Sequence, residues 1–288
     1  MSNTNVLIFS FLGGILPAFF WLWFWMKQDR QKPEPRSALI SSFLGGIVAV
    51  FLALFFELVI YYILVDANAH ILNSSPKIFS DFLLSLTDKY QIAEKQDIFW
   101  QNIQNTLSNL NVLEYAKTAE LKKMALVVFI APFIEELFKL IMTYGICLRR
   151  KVNDEPIDAS IYMLTSALGF AAIETTLFLT EPLTNGNIID TLIVGNFRSV
   201  GPMLIPLVSS TVLGHFIGLA FYKGKIKKTV YLFSGFILAT VLHSLFNFFI
   251  VLNEMTQSIV YFWIACIGTW LMIIILLIFF QKVKKVTR

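Results

Sequence analysis

The chain has 288 residues, of which 57% are hydrophobic and only 15% are charged, and its mean hydropathy is +0.70. This composition excludes an ordinary soluble domain and predicts a protein embedded in a lipid bilayer. The net charge of +4 comes from basic residues clustered in short segments between apolar runs, which indicates membrane topology and not nucleic-acid binding.

Seven apolar runs are long enough to cross the membrane as α-helices. Basic clusters follow the first, third, fifth and seventh runs, whereas the loops after the fourth and sixth runs carry no lysine or arginine. The positive-inside rule therefore places the N-terminus outside and the C-terminus inside the cell. We expect an all-α polytopic membrane protein, a single integral membrane domain over residues 1–288, with spans at about 6–26, 39–65, 121–148, 157–180, 202–222, 230–252 and 259–280.

Two further features concern packing and the segments outside the membrane. The hexapeptide Ser-Phe-Leu-Gly-Gly-Ile occurs twice, from Ser10 and from Ser42. Because a Gly-Gly pair lets helix backbones approach closely, we interpret the two copies as packing patches. Residues 66–120 form the predicted extracytoplasmic loop between the second and third helices, and the sequence leaves open whether this loop is a lid, a docking element or a connector.

The third run contains the segment Pro132-Phe133-Ile134-Glu135-Glu136-Leu137-Phe138-Lys139. A charge at the centre of a membrane helix costs ~2.5–3.5 kcal/mol on the insertion scale, so two adjacent glutamates need a partner, a proton or a water-filled cavity. Lys139 shares a helix face with Glu135 at the i, i+4 spacing, and we interpret it as a structural counter-ion.

Four predicted helices carry acidic, imidazole or amide side chains inside the membrane. From a rise of 1.5 Å per residue, most of them lie at roughly 20–25 Å from the cytoplasmic end of their helix, and His215 lies at roughly 10 Å. Such a band predicts a buried polar site rather than scattered structural residues. The candidate catalytic residues are Glu135, Glu136, Glu174, His215, His243 and Asn247.

These residue types suit the hydrolysis of a peptide or similar bond. Glutamate is a usual base for water, and a histidine or a second glutamate can return the proton. His243 and Asn247 are one helical turn apart, so both can point at one developing oxyanion. Glutamate and histidine also bind Zn²⁺, so zinc stays open as a cofactor although no HExxH motif is present; its candidate ligands are Glu136, Glu174, His215 and His243.

Two charged residues near the outer ends of helices have simpler interpretations. Glu57 is expected to snorkel or to make a structural hydrogen bond. For Arg198 the sequence favours neither a lipid phosphate nor a substrate as the group that it contacts.

Together these motifs resemble the PrsW family of intramembrane proteases, within the group that includes the CAAX prenyl endopeptidases and the bacteriocin-processing and self-immunity proteins. The prenyl endopeptidases carry a histidine where this chain has Glu174, which favours the PrsW family. The matching segments are Asp29-Arg30 with Pro33-Glu34-Pro35, the EExxK motif at Glu135-Glu136 to Lys139, the FxxxE motif at Phe170 to Glu174, Arg198 with Gly214-His215, and the HxxxN motif at His243 to Asn247.

The resemblance implies an endopeptidase of a bacterial cytoplasmic membrane that cleaves membrane-anchored proteins, such as anti-sigma factors at their extracytoplasmic side. Its partners would be that protein substrate and the lipid bilayer, with no nucleic acid. By the family's roles, Glu135 or Glu136 activates water by a glutamate-type or a metal-dependent mechanism. His215 and Glu174 assist, and His243 and Asn247 stabilise the oxyanion.

Two other functions stay open from the sequence. A non-proteolytic scaffold or immunity-type member of the fold predicts gaps in the motifs, and none is seen. A proton-coupled transporter uses buried glutamate and histidine as a relay, but such proteins often contain inverted repeats. Apart from the repeated hexapeptide, the two halves of this sequence show no such symmetry.

Overall fold

The computed structural model of the protein describes residues 3–28, 33–65, 124–184, 195 and 198–286. Within these residues the chain is helical and contains no strand, which confirms the all-α prediction. The predicted extracytoplasmic loop 66–120 lies outside the described residues. The helices are α1 (Asn3–Met26), α2 (Arg36–Val65), α3 (Ala131–Thr143), α4 (Asp158–Thr184), α5 (Leu204–Leu219), α6 (Lys225–Thr256) and α7 (Ile259–Lys284).

The described residues form seven α-helices, the predicted number, but α3 differs from the other six. Each of the others belongs to a described helical stretch that is long and apolar enough to cross a membrane. The α-helical part of α3 has 13 residues, and π-helical turns at Leu126–Ile130 and Tyr144–Leu148 extend it at both ends. Short π-helical segments are rare and frequently occur at functional sites. The helix that carries the two adjacent glutamates is therefore the irregular one.

Helix α4 lies at the centre of the bundle and packs against α1, α2 and α5. Several of its buried residues are small, so neighbouring backbones can come close at these positions. The outer helices α1, α2, α6 and α7 instead expose large apolar side chains, as expected of surfaces that face lipid tails. The fully buried residues of α4 include Ala159, Ala167, Leu168, Ala171 and Ala172, and the exposed apolar residues of the outer helices include Phe20, Phe51, Ile237 and Ile278.

In both copies of the repeated hexapeptide the second glycine packs against α4, which confirms the interpretation as packing patches. A Cβ atom built on Gly14 would lie 2.2 Å from the carbonyl oxygen of Ala172, and one built on Gly46 would lie 1.8 Å from that of Ser166. A Cβ atom built on Gly169 of α4 would lie 2.0 Å from the carbonyl oxygen of Phe43 in α2. These distances leave no room for a side chain, so glycine is required where α1 and α2 cross α4.

We expect Gly46→Ala to lower the free energy of unfolding by about 1–3 kcal/mol, because the new methyl group forces the backbones of α2 and α4 apart. Gly268→Ala in α7 is the matched control, since a Cβ there meets no atom within 4 Å; we expect it to change stability by less than about 1 kcal/mol. Unfolding of the purified variants by denaturant in detergent measures both changes. Equal stability of the two variants would contradict the assigned packing.

At the N-terminal end of α4, the segment between α1 and α2 is hydrogen-bonded to α4. Tyr162 donates a hydrogen bond from its hydroxyl group to the carboxylate of Glu34. Ser42 of the second hexapeptide donates to the backbone carbonyl of Tyr162 at 2.7 Å. The Pro33-Glu34-Pro35 part of the first sequence motif therefore holds the first loop on the central helix, whereas Asp29 and Arg30 lie outside the described residues.

Candidate active site

Glu136 of α3 forms a fully buried ion pair with Lys139. The Nζ atom of Lys139 lies 2.5 Å from Oε1 of Glu136, and both side chains are 0% exposed. The ammonium group also lies 4.7 Å from the centroid of the Phe170 ring, which gives the FxxxE motif a contact with the EExxK motif. Lys139 is therefore a counter-ion, but its partner is Glu136, three residues earlier in the chain, and not Glu135.

Two adjacent serines of α5 complete the surroundings of Glu136. Ser209 donates to Oε1 of Glu136 and Ser210 donates to Oε2, each at 2.7 Å. Both serines are 0% exposed. Both oxygens of Glu136 therefore accept hydrogen bonds inside the bundle, where an unpaired carboxylate would be costly.

His243 of α6 lies between the two glutamates. Its Nδ1 atom is 3.2 Å from Oε1 of Glu136, and its Nε2 atom is 3.6 Å from Oε2 of Glu135. Because Glu136 already accepts from an ammonium and two hydroxyl groups, it is also the acceptor toward the imidazole, so Nδ1 carries the hydrogen. In the neutral imidazole, Nε2 is then an acceptor that faces Glu135.

Glu135 has an environment opposite to that of Glu136. Its side chain is 13% exposed, and its Oε2 atom has no hydrogen-bond partner among the described residues. The charges of Glu57 and Glu174 act on it as well as those of His243 and Lys139. Of the two neighbouring carboxylates, one is therefore fully bonded and closed off, and the other is free to accept a hydrogen bond from a water or a substrate.

Glu174 of α4 is paired with Arg198 at the edge of this cluster. The Nη2 atom of Arg198 lies 3.3 Å from Oε1 of Glu174, and the guanidinium stacks 3.6 Å above the ring of Phe178. Arg198 is 8% exposed, so its partner is a side chain of α4 in this structure. Glu57, which was expected to snorkel or to make a structural hydrogen bond, is 6% exposed and is therefore buried in the bundle.

The comparisons with known proteins agree with these motifs. The sequence model described as "PrsW family intramembrane metalloprotease" matches residues 99–278, which is more than half of the 288 residues. The chain belongs to the PrsW family. With six described helices long and apolar enough to span a bilayer, this PrsW family member is a multi-pass membrane protein of bacterial type.

Two curated relatives are similar to parts of this PrsW family chain. "Protease PrsW" of Geobacillus kaustophilus (strain HTA426) is 30% identical over 124 residues, which are 43% of this chain and 51% of the relative. "Protease PrsW" of Clostridioides difficile (strain 630) is 28% identical over 152 residues, which are 52% of this chain and 60% of the relative. The chain thus spans about half the length of the first and 60% of the second. No solved structure matches it.

The structure does not bring His215 into the cluster around Glu135 and Glu136. The Nδ1 atom of His215 is 2.8 Å from Oγ of Ser160, and Nε2 is 3.4 Å from the carbonyl oxygen of Leu276 in α7. Ser160 and Glu174 are both on α4, 14 residues apart, which corresponds to about 21 Å along the helix axis. His215 therefore joins α4, α5 and α7 at a level far from Glu174.

The residues of this PrsW family member do not fit a catalytic zinc site with three protein ligands. Among the described residues no group of three or more histidine, cysteine, aspartate or glutamate side chains could hold a metal ion. Glu135 faces Nε2 of His243, whereas Glu136 faces Nδ1. A metal ion bound to one of these nitrogens could therefore not be bound by both glutamates. Of the other two candidate ligands, Glu174 is paired with Arg198, and His215 is bonded elsewhere.

Sequence reasoning missed Ser209 and Ser210, which contact both oxygens of Glu136. Their signal is a pair of adjacent hydroxyl groups inside an apolar run, where polar side chains commonly bond across helices. Asn247 was predicted as an oxyanion ligand, and its amide nitrogen lies instead 3.0 Å from the backbone carbonyl oxygen of Val127. The cluster in direct contact is therefore formed by Glu135, Glu136, Lys139, Ser209, Ser210 and His243.

Proposed function

We propose that this protein is an intramembrane endopeptidase that hydrolyses a peptide bond of a membrane-anchored protein. The observation that carries the proposal is the arrangement of Glu135 and His243, two proton acceptors 3.6 Å apart in a bundle of membrane-spanning length. A water molecule beside this pair can donate a hydrogen bond to each acceptor and give up a proton to one of them. The match to the PrsW family and to two proteins named Protease PrsW supports the same activity.

In the proposed reaction, Glu135 is the general base. A water molecule donates hydrogen bonds to Oε2 of Glu135 and to Nε2 of His243. As its oxygen forms a bond to the carbonyl carbon of the substrate, one proton moves to Glu135, and the electron pair of the carbonyl double bond moves to the carbonyl oxygen. Glu135 then gives the proton to the leaving nitrogen while the carbon–nitrogen bond breaks, which leaves a carboxylic acid and an amine.

Glu136 acts in this scheme through His243 and not on the substrate. Its carboxylate holds the Nδ1–H side of the imidazole, so Nε2 stays directed at Glu135. Ser209, Ser210 and Lys139 keep the carboxylate in place.

The proposal also covers the orientation of the protein in the membrane, its substrate class and its evolutionary origin. We place the N-terminus outside and the C-terminus inside a bacterial cytoplasmic membrane, because basic clusters follow alternate apolar runs. The substrate class is a protein with its own membrane anchor, since the proposed water-binding pair lies inside a bundle with six described helices long and apolar enough to cross the bilayer. A common origin with the CAAX prenyl endopeptidases and the bacteriocin-processing proteins is part of the same proposal.

We expect His243→Ala to lower cleavage of a membrane-anchored test protein in liposomes by about 10²-fold, because the attacking water loses one of the two acceptors that orient it. His215→Ala is the matched control, because it removes a second buried histidine that lies away from Glu135. We expect it to keep most of the wild-type rate per folded molecule, as measured after size-exclusion chromatography.

The same assay with a metal chelator tests the interpretation of the ligand geometry. We expect the wild-type rate to be unchanged by the chelator, with less than one bound zinc ion per molecule by elemental analysis. Wild-type protein that cleaves no faster than His243→Ala would contradict the protease, and the scaffold and transporter alternatives would then stand.

A further inference from the structure

Val127, in the π-helical turn before α3, has a backbone carbonyl that its own helix leaves without a donor. The N–H group of Ala131 donates to Leu126, five residues earlier, as the π-helical pattern requires. The next N–H in that pattern would come from Pro132 and would reach the carbonyl of Val127. Proline has no N–H group, so among the described residues neither neighbouring position of the helix supplies this donor.

Asn247 of α6 supplies the missing hydrogen bond from another helix. Its Nδ2 atom lies 3.0 Å from the carbonyl oxygen of Val127. Because a carbonyl oxygen only accepts, the contact fixes which end of the amide faces α3. Proline residues in membrane helices are tolerated where neighbouring helices bond to the freed backbone groups, and this pair is such a case.

The bond connects the two halves of the proposed water-binding pair. Pro132 precedes Glu135 by three residues on α3, and Asn247 follows His243 by one turn on α6. The amide is therefore one of the contacts that join the start of the helix that carries Glu135 to the helix that carries His243, beside the contact of His243 with Glu136. The relative position of these two helices determines the separation of 3.6 Å between Glu135 and His243.

We propose that Asn247 is a positioning residue that replaces the N–H group absent at Pro132, and that through this bond it sets the distance between Glu135 and His243. The inference rests on the proposed protease function for its kinetic consequence. It replaces the expected role of Asn247 as an oxyanion ligand. The two roles differ in one respect: only the positioning role depends on Pro132.

A double-mutant cycle tests this dependence. It compares wild type, Asn247→Leu, Pro132→Ala and the double variant, each by kcat, KM and melting temperature in detergent. We expect Asn247→Leu alone to lower kcat by about 10- to 100-fold with KM unchanged, since small displacements of reacting groups have effects of this size. Alanine at position 132 restores an N–H group for Val127. In that background we expect Asn247→Leu to change kcat by less than about threefold, and the fall in melting temperature to shrink in parallel.

Three results would overturn the inference. An equal loss of kcat from Asn247→Leu in both backgrounds means that the amide contacts the substrate directly. No loss of kcat or melting temperature in either background means that the bond to Val127 has no role. Coupling in melting temperature without coupling in kcat means that the bond is structural only.

Further measurements keep the test valid if Pro132→Ala does not fold or if wild type cleaves no substrate. If Pro132→Ala fails to fold, Pro132→Ser restores the same N–H group with a different side chain. If wild type cleaves no substrate, the proposed protease function fails, and the melting-temperature cycle still tests the hydrogen bond by itself. Asn247→Gln retains a donor, and we expect it to be more stable than Asn247→Leu.

Discussion

Replacing Glu135 by glutamine is expected to lower the rate of peptide cleavage by about 10³-fold or more while the protein stays folded. General bases contribute 10²–10⁴-fold to enzymatic rates, and glutamine cannot accept a proton from water. The substitution keeps the size of the side chain. It should leave the packing intact because Oε2 of Glu135 has no hydrogen-bond partner to lose among the described residues.

The measurement is single-turnover cleavage of a membrane-anchored substrate in liposomes, together with the melting temperature of the same preparations. Glu57→Gln is a matched control, because it removes a second buried carboxylate whose charge acts on Glu135 but which does not contact His243 at either ring nitrogen. We expect its effect to be below tenfold. A Glu135→Gln protein that cleaves at near the wild-type rate would show that another group is the base.

Much of the fold follows from local properties of the sequence. Apolar length and helical period are sufficient to predict seven helices, and the Gly-Gly pairs are sufficient to indicate where helices cross closely. The π-helical turn at Leu126–Ile130 could not be predicted in this way, since it is followed by Pro132 and its residue Val127 accepts a hydrogen bond from Asn247 of α6. A Pro in an apolar run marks a break in hydrogen bonding, but it does not tell which neighbouring helix repairs it.

The polar cluster was predicted less completely than the helices. Spacing along one helix gives residues that share a face, so it suggested Glu135 as the partner of Lys139, whereas rotamers and neighbouring helices bring Lys139 to Glu136 instead. Ser209 and Ser210 could not be assigned because their partner lies more than 70 positions earlier in the chain. For His215 the predicted depth of roughly 10 Å differs from the roughly 20–25 Å of the other candidates, yet it was still predicted as a member of the same site. In the structure it bonds to Ser160 and Leu276 instead.

The neighbouring residue Glu136 should respond to the same substitution in a different way. We expect Glu136→Gln to lower the free energy of unfolding by about 3–5 kcal/mol, because it leaves the ammonium of Lys139 charged and buried without a counter-ion. Lys139 is 0% exposed. The loss of stability separates Glu136 from Glu135, for which we expect loss of activity alone.

The double variant Glu136→Gln/Lys139→Met distinguishes the charge from the hydrogen bonds. Removing both members of a buried ion pair is often neutral for stability, so we expect most of the 3–5 kcal/mol to return in denaturant unfolding. Cleavage should stay impaired, because a glutamine amide is a weaker acceptor for Nδ1–H of His243 than a carboxylate. Lys139→Met alone is the control and should be destabilised, since it leaves Glu136 as the unpaired charge. If the double variant is no more stable than Glu136→Gln, the pair does not hold α3 in place by charge, and the hydrogen bonds from Ser209 and Ser210 carry the stability instead.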